Sequence, residues 1–339
     1  MGSITRWVKS VLGGVMPSSR GRFVAPDDDE ALSEIESHAV RIARESGAIL
    51  RAHFERALNV EYKDDKQSDP VTNADYACQT YLTEAISKRF PEHGILGEED
   101  NAAERERADG QPAPDFVWVL DPLDGTRNFL SGLPLYASSI GVLYKGAPVA
   151  AAVFMPWPSD EGGIVMHARR GGGTYVDDEP VVALNAAAPE AKRLITLPGS
   201  FGALFNVRKD LRGKFGELRM TGSIAYELSM VAKGVTQYTI TTAPFLWDAA
   251  GGSLLVMEAG GIVLQGGRNR LLGRLPAGLR WHQLESFVPS WSSGTTTMKE
   301  LREWRAPLLL GSPNVARYVA GNLRGRSTVK RRLRRLVRR

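Results

Sequence analysis

The apolar run Phe116-Val117-Trp118-Val119-Leu120 ends abruptly at Asp121-Pro122-Leu123-Asp124-Gly125-Thr126. No other stretch restricts the fold as much. A short continuous run rich in β-branched and aromatic residues, stopped by Pro and Gly, predicts a buried strand. Two carboxylates therefore stand just beyond a strand end. Pro122 stiffens the turn between them, so both side chains and the Leu123 carbonyl can converge on one point at small ordering cost. Such an oxygen cluster suits a hard cation of the Mg2+ type. Asp-Pro and Asp-Gly are also ordinary turn dipeptides, so the hexapeptide alone predicts a turn as readily as a site.

Three further stretches favour the site. Gly97-Glu98-Glu99-Asp100 follows the apolar step Ile95-Leu96 and supplies more carboxylates; Glu99 and Asp100 themselves are expected to be solvated. Ser68-Asp69-Pro70-Val71-Thr72-Asn73-Ala74-Asp75 opens a helix with an acidic residue, and Leu246-Trp247-Asp248-Ala249-Ala250-Gly251-Gly252 puts Asp248 at the start of another. In their order, Gly97-Glu98-Glu99, the Asp121–Thr126 hexapeptide and Trp247–Gly252 resemble the inositol monophosphatase family of Mg2+-dependent, lithium-sensitive phosphatases. Three motifs in sequence are far more specific than one. The resemblance runs from Ala31 to Gly267 and returns at Pro307 to Val319. It implies a mixed α+β and α/β chain folded as a layered αβαβα sandwich of the sugar-phosphatase type, and a homodimer.

At 339 residues the chain exceeds a typical single domain, so one large layered unit or two fused domains is expected. With 43% hydrophobic residues it can bury a sizeable core. No apolar run is long enough to cross a bilayer. The single cysteine, Cys78, excludes an internal disulfide and suits a reducing compartment, the cytoplasm. Tyr81, Leu82 and Ala85 follow it at helical spacing, which predicts a buried thiol rather than a nucleophile. The formal charge of +5 is local: nine Arg and Lys lie from Leu323 onward with no acid among them, and removing them from +5 leaves −4 for the rest.

Four segments follow from the rhythm of the chain: an N-terminal amphipathic piece and linker at 1–30, an α+β half at 31–187, an α/β half at 188–322 and a basic tail at 323–339. Ile4, Trp7, Val8, Val11, Leu12 and Val15 line one face of a predicted helix. That helix either docks on the body, frays, or lies on a membrane surface. A long helix begins after Asp27-Asp28-Asp29, with Leu32, Ile35, Ala39, Ile42 and Ile49 as its stripe. Asn59 to Val71 predicts a hairpin or loop, Asn101 to Pro114 a solvated loop, and the runs from Tyr136 to Leu184 antiparallel strands separated by Lys-Gly, Pro-Trp-Pro and Gly-Gly-Gly breaks. From Leu194 strands and helices alternate. Residues 268–305 depart from the family as an insertion bearing Trp281, Trp291 and Trp304, expected to pack on the surface rather than to serve as a lid. Ser312 and Pro313 predict the start of a last helix.

A phosphate monoester dianion repels nucleophiles and has a poor leaving group, which two metal ions about 4 Å apart can overcome. The resemblance implies that Glu98, Asp121 and the Leu123 carbonyl hold one Mg2+, and that Asp121, Asp124 and Asp248 hold a second. It implies that Glu98 and Thr126 orient the attacking water, with Asp75 supporting Thr126. Gly125, Thr126, Gly222, Ser223 and Asp248 would contact the phosphate and the hydroxyls of a small phosphate monoester. Many inositol phosphatases carry a Glu seven residues before the last metal-binding Asp; here it is Thr241, and a neutral hydroxyl does not replace two acceptor oxygens. Histidinol phosphate, a sugar phosphate such as fructose 1,6-bisphosphate and a nucleotide 3′-phosphate such as adenosine 3′,5′-bisphosphate therefore stand beside a phosphorylated polyol.

Two other classes compete. Val329, Leu333, Leu336 and Val337 share one helical face among seven basic residues from Lys330 to Arg339, a pattern suited to anionic lipid, alone or with the N-terminal helix, or else to a solvated tail. Without interleaved aromatics it does not predict nucleic-acid binding by base stacking. The second alternative is an inactive relative used as a scaffold, and the retention of Glu98, Asp121, Asp124 and Asp248 argues against it.

Overall fold

The structure is a computed structural model. It describes residues 29–325 except 55, 57, 58, 64, 67–69, 159–161, 183, 184 and 272–274, and only the backbone of 107 and 268–279 outside that gap. The expected N-terminal helix, its linker, Ser68, Asp69 and the tail from 326 onward lie outside the described residues.

Helix α1 (Asp29–His53) leads to a hairpin of β1 (Val60–Tyr62) and β2 (Pro70–Thr72), then α2 (Asn73–Arg89), β3 (Gly94–Gly97), α3 (Ala102–Asp109), β4 (Phe116–Asp124) and the short α4 (Thr126–Leu130). Strands β5 (Ala137–Tyr144), β6 (Ala147–Met155), β7 (Ile164–Arg169), β8 (Gly173–Val176) and β9 (Glu179–Val181) complete this half. β3 to β9 form one sheet in sequence order, antiparallel except where β3 runs parallel to β4. The chain continues through β10 (Leu194–Thr196), α5 (Phe201–Leu204), β11 (Phe205–Val207), α6 (Lys209–Arg212), β12 (Glu217–Arg219), α7 (Ile224–Ala232), β13 (Thr236–Thr241) and α8 (Leu246–Glu258). It ends with β14 (Ile262–Leu271), β15 (Leu275–Gln283), α9 (Met298–Arg302), β16 (Leu308–Gly311), α10 (Pro313–Asn322) and β17 (Leu323–Gly325). The second large sheet has the order β12-β10-β13-β16-β14-β15, and β11 pairs with β17 apart from it.

Side-chain alternation along single strands shows how the layers stack. Val117 and Val119 of β4 join one core with α7 and α8, while Trp118 and Leu120 point the other way into a core with α1 and α2. In β16, Leu308 and Leu310 join the α7–α8 core, and Leu309 faces Val315 and Val319 of α10. The order is thus helix pair, sheet, helix pair, sheet, helix: the αβαβα sandwich. Strands buried on both faces read as continuous apolar runs, which is why β4 was legible as buried.

Cys78 is fully buried, as its spacing predicted. Asn101 to Pro114 is not a plain loop: it contains α3, because Asn101 accepts from the Glu104 N–H at 3.0 Å while the Glu104 carboxylate accepts from the Asn101 N–H at 2.8 Å. That reciprocal capping box starts a helix that alternating charge alone did not reveal. After the β14–β15 hairpin, Leu284, Phe287, Met298, Leu301 and Trp304 are buried in the central core. No helix among the described residues is long and apolar enough to cross a membrane.

One polar network ties α1 to the outer end of the first sheet. The His167 Nδ1 lies 2.7 Å from Glu36 Oε1 and its Nε2 lies 2.7 Å from the Asp177 carbonyl, so both ring nitrogens face acceptors. Arg169 donates to the other Glu36 oxygen at 3.1 Å. Burial works against the imidazolium, but the Glu36 carboxylate and the Asp177 carbonyl outweigh it and raise the His167 pKa above its ordinary value. The stabilisation is therefore fully present below the unfolded pKa and is lost as pH rises through the folded one. The stability gap between wild type and His167→Gln, measured by urea titration, should be widest near pH 5.5 and narrow towards pH 8.5. A gap that widens with pH would refute the assignment.

Candidate active site

Strand β4 carries the Asp121–Thr126 turn past the end of its ladder. Asp121 still pairs with Ser139, but the register slips before Asp124, since Pro122 has no N–H to donate. Leu123 N–H donates to Asp121 Oδ1 at 3.1 Å, an Asx-type closure of the turn. Gly125 has φ +96°, and a Cβ there would meet the Leu135 carbonyl at 3.0 Å and Ser223 Cβ at 3.1 Å, so only glycine suits this corner. Thr126 opens α4; its Oγ1 donates to the Leu123 carbonyl at 3.1 Å and lies 3.4 Å from Asp75 Oδ1.

Asp75 is not the first residue of α2 but its third, with Thr72 as N-cap. Its Oδ2 accepts from the Thr72 N–H at 2.8 Å and the Thr72 hydroxyl at 2.6 Å, which leaves Oδ1 towards Thr126. Asp248 is likewise the third residue of α8, not its cap, and accepts from the Phe245 N–H at 2.8 Å. Asp124 Oδ2 accepts from the Ser223 hydroxyl at 2.8 Å and from the Ala225 N–H at the start of α7. Ser223 is the N-cap of α7, and Gly222 before it has φ +83°.

These carboxyls feel one another. Burial, then the charges of Glu98, Asp124 and Asp248, push the Asp121 pKa well above the carboxylate range. Burial, then Asp124 and Glu98, do the same to Asp248. Asp124 is pushed up to about 7, chiefly by burial, despite its donors Ser223 and Ala225. Asp75 rises to about 6, again by burial first. The described residues do not close any three His, Cys, Asp or Glu side chains into a metal cage. The crowding is partly offset, since Asp121, Asp124 and Asp248 each turn an oxygen to a nearby backbone N–H.

Several residues at the site were not legible beforehand. Lys63, just after β1, donates to Glu98 at 2.8 Å and to Glu99 at 2.7 Å. Burial opposes its charge, but the two glutamates hold its pKa above the usual lysine range. Glu99 and Asp100 are not solvated: their side chains are 4% and 13% exposed. Burial, then the Glu98 charge, lift Glu99 to about 8. Gln79 donates to Asp100 at 2.8 Å and accepts from the Glu99 N–H at 3.2 Å. Arg105 holds the Glu98 carbonyl at 2.9 Å and the Asp100 carbonyl at 2.7 Å. Arg302, from the inserted segment, reaches Asp100 at 3.1 Å, Asp109 at 3.2 Å and the Gly97 carbonyl at 3.4 Å. The loop bearing Glu98 is thus clamped from behind by two arginines and a glutamine. Thr241 is buried, and its hydroxyl has no partner among the described residues.

The model of the inositol monophosphatase family matches residues 31–303. The chain belongs to the inositol monophosphatase family. Family relatives include the "Nus factor SuhB" of Escherichia coli K12, 34% identical over 250 residues that cover 71% of this chain and 89% of the relative. Another is "Phosphatase IMPL1, chloroplastic" of Arabidopsis thaliana, 32% identical over 245 residues, covering 69% of this chain and 64% of the relative. A family structure described as an IMPase/NADP phosphatase with Mg2+ and phosphate superposes with a TM-score of 0.62 at 19% identity, covering 86% of this chain and 95% of that one, and so shares the fold. Membership, together with phosphatase-named relatives, supports assignment to the phosphatases of this superfamily. The family match extends over the segment that carries Arg302, and the Arg302 contacts to Asp100, Asp109 and the Gly97 carbonyl bring that segment behind the Glu98 loop.

Proposed function

We propose that the protein is a Mg2+-dependent phosphomonoesterase acting on a small phosphorylated polyol or related metabolite, by attack of an activated water on phosphorus. The observation that carries this is the crowding around buried Asp121, where burial first and then the charges of Glu98, Asp124 and Asp248 push its pKa well above the carboxylate range. Such a cluster is uncomfortable without a cation, and Lys63 is already drawn towards it. All donors are hard oxygens, which fits Mg2+ better than a thiolate-seeking metal. Glu98, Asp121 and the Leu123 carbonyl would hold one ion, and Asp121, Asp124 and Asp248 a second.

Mg2+ supplies Lewis acidity there, neutralising phosphate charge and easing water deprotonation. The chain supplies the rest. Thr126 Oγ1, held between the Leu123 carbonyl and Asp75 Oδ1, orients the attacking water; Asp75, with a pKa pushed up to about 6, can accept a proton relayed through that hydroxyl. Glu98 is fixed by its backbone, its N–H to the Leu120 carbonyl at 3.0 Å and its carbonyl to Arg105. The Gly125–Thr126 turn would face phosphate, and the Gly222–Ser223 loop the hydroxyls of the alcohol. The neutral Thr241 supports metabolites other than myo-inositol 1-phosphate. The IMPase/NADP phosphatase neighbour was solved with Mg2+ and phosphate, which supports the same ion and ester class here. Assembly as a homodimer belongs to this reading, and sedimentation at twice the monomer mass would support it.

The test is phosphate release from myo-inositol 1-phosphate, histidinol phosphate, fructose 1,6-bisphosphate and adenosine 3′,5′-bisphosphate, each with Mg2+ and with chelator. Mg2+-dependent release from at least one is expected. Folded protein that binds Mg2+ yet releases phosphate from none would sink the reading. Arg302→Ala should raise the Mg2+ concentration for half-saturation, measured by calorimetric titration, by roughly ten-fold or more, as loss of a residue behind a metal ligand does. Arg302→Lys should recover part of it. An unchanged Mg2+ affinity would show that the clamp is only structural.

A further inference from the structure

Arg305 closes the inserted segment and lies beside the first turn of α8, where Asp248 sits. Its guanidinium carbon stands 3.1 Å from the centre of the Phe245 ring and 5.7 Å from Trp247, and those two rings stack on each other at 4.5 Å and 15°. Nη1 is occupied, donating to the Trp304 carbonyl at 2.6 Å and the Arg302 carbonyl at 3.1 Å. Nε and Nη2 have no acceptor among the described residues, and Arg305 makes no ion pair there. A guanidinium seated over a ring and held at one corner by two carbonyls has lost much of its freedom, and its open edge carries N–H donors matched to a carboxylate or phosphate.

The location gives that fork a purpose. Phe245 is the N-cap of α8 and donates its N–H to Asp248 at 2.8 Å. Three residues of helix rise is only about 4.5 Å, so the Arg305 shelf stands within one small molecule's length of Asp248. Phe245 is 41% exposed, so its ring lies at the surface rather than in the core. Asp248 is the carboxylate whose field Arg305 feels.

We propose that Arg305, seated on Phe245, is a subsite for a second anionic group of the substrate, a carboxylate or a further phosphate, beside the phosphate that is cleaved. This rests on the phosphomonoesterase reading and narrows its substrate class from neutral polyol phosphates to phosphorylated acids and bisphosphates. Its signature is a difference between two substrates of nearly equal shape.

The experiment compares 2-phosphoglycerate with glycerol 2-phosphate, which differ by one carboxylate in place of a hydroxymethyl group, and fructose 1,6-bisphosphate with fructose 1-phosphate, in wild type, Arg305→Gln, Arg305→Lys and Phe245→Leu. Wild type should favour the more anionic member of at least one pair in kcat/KM by roughly five- to ten-fold, and the pair that responds tells carboxylate from phosphate. Arg305→Gln should erase most of that ratio, Arg305→Lys should keep part, and Phe245→Leu should weaken it by freeing the guanidinium. Equal ratios in wild type and Arg305→Gln, or an equal fall for both members of each pair, would overturn the subsite. Calorimetric titration of the same pairs in the presence of Ca2+ separates this from the wider reading. An Arg305-dependent preference in binding without any turnover would keep the subsite and defeat the phosphatase, whereas no preference in binding would defeat the subsite whatever the turnover.

Discussion

Asp121→Asn is expected to abolish Mg2+-dependent phosphate release, by roughly a thousand-fold or more, and at the same time to raise the melting temperature of the metal-free protein. Asp121 is 1% exposed and faces Glu98, Asp124 and Asp248 at once. The amide keeps the shape and can still accept from the Leu123 N–H, but it removes the charge that two cations would share; losing a single preorganised electrostatic contact already costs about 10²–10³ in rate. The stability gain has a separate cause. A carboxyl whose folded pKa lies well above its unfolded value destabilises the folded state once pH exceeds the unfolded value, so its removal relieves the metal-free protein at neutral pH. Each 1 kcal/mol of relief appears as roughly 1–2 °C in melting temperature for a chain of 339 residues. The two readouts move in opposite directions, so misfolding cannot imitate the result. Activity within ten-fold of wild type would remove Asp121 from the proposed metal site.

The second large effect is expected at a residue with no chemistry. Gly141 of β5 lies where α8 crosses the first sheet, and a Cβ there would meet Ala250 Cβ at 2.7 Å and the Gly251 N at 2.9 Å. Gly251 has the reciprocal constraint, with a Cβ meeting the Ile140 carbonyl at 3.0 Å. Gly141→Val must therefore push the helix backbone away from the sheet, because there is no flexible side-chain tip to yield. Overpacking of this kind costs about 3 kcal/mol, which corresponds to a fall of roughly 3–6 °C for a chain of this length. The displaced helix carries Asp248 one turn away, so phosphate release should fall even at temperatures where the variant is folded. Gly202, with nothing within 4 Å of its would-be Cβ, is the control: Gly202→Ala should stay within about 0.5 kcal/mol of wild type. A Gly141→Val protein as stable as wild type would show that the helix–sheet approach is looser than it looks.

Legibility followed the range of the interactions involved. The buried β4, the Asp-Pro-Leu-Asp-Gly turn, the Ser312–Pro313 helix start and the buried Cys78 each depend on neighbours within a few residues, and each could be read from periodicity or turn chemistry. The layered fold came from resemblance across three motifs, and the structure carries the same five layers. What escaped was either reciprocal or distant. α3 needed a two-way contact between Asn101 and Glu104, which composition does not advertise. Glu99 and Asp100 looked solvated because an acidic run usually is; nothing nearby in sequence says that Gln79 and Arg302 cover them. Lys63 sits in a charged hairpin whose approach to Glu98 is set by folding, not by spacing. Arg302 and Arg305 make their contacts across the fold, to Asp100, Asp109 and Phe245, which no local spacing announces.

The Arg302 clamp also has a meaning for the order in which the molecule is made. Its partners Asp100 and Asp109 precede it by 202 and 193 residues. Domains emerge from the ribosome N-terminal part first, at about 5–20 residues per second. A nascent chain long enough to include Asp248 has already exposed every proposed metal ligand, yet the arginine that holds the Glu98 loop from behind is still more than fifty residues from being translated. Emergence of Arg302, rather than arrival of the last proposed ligand, is then the event that locks this loop.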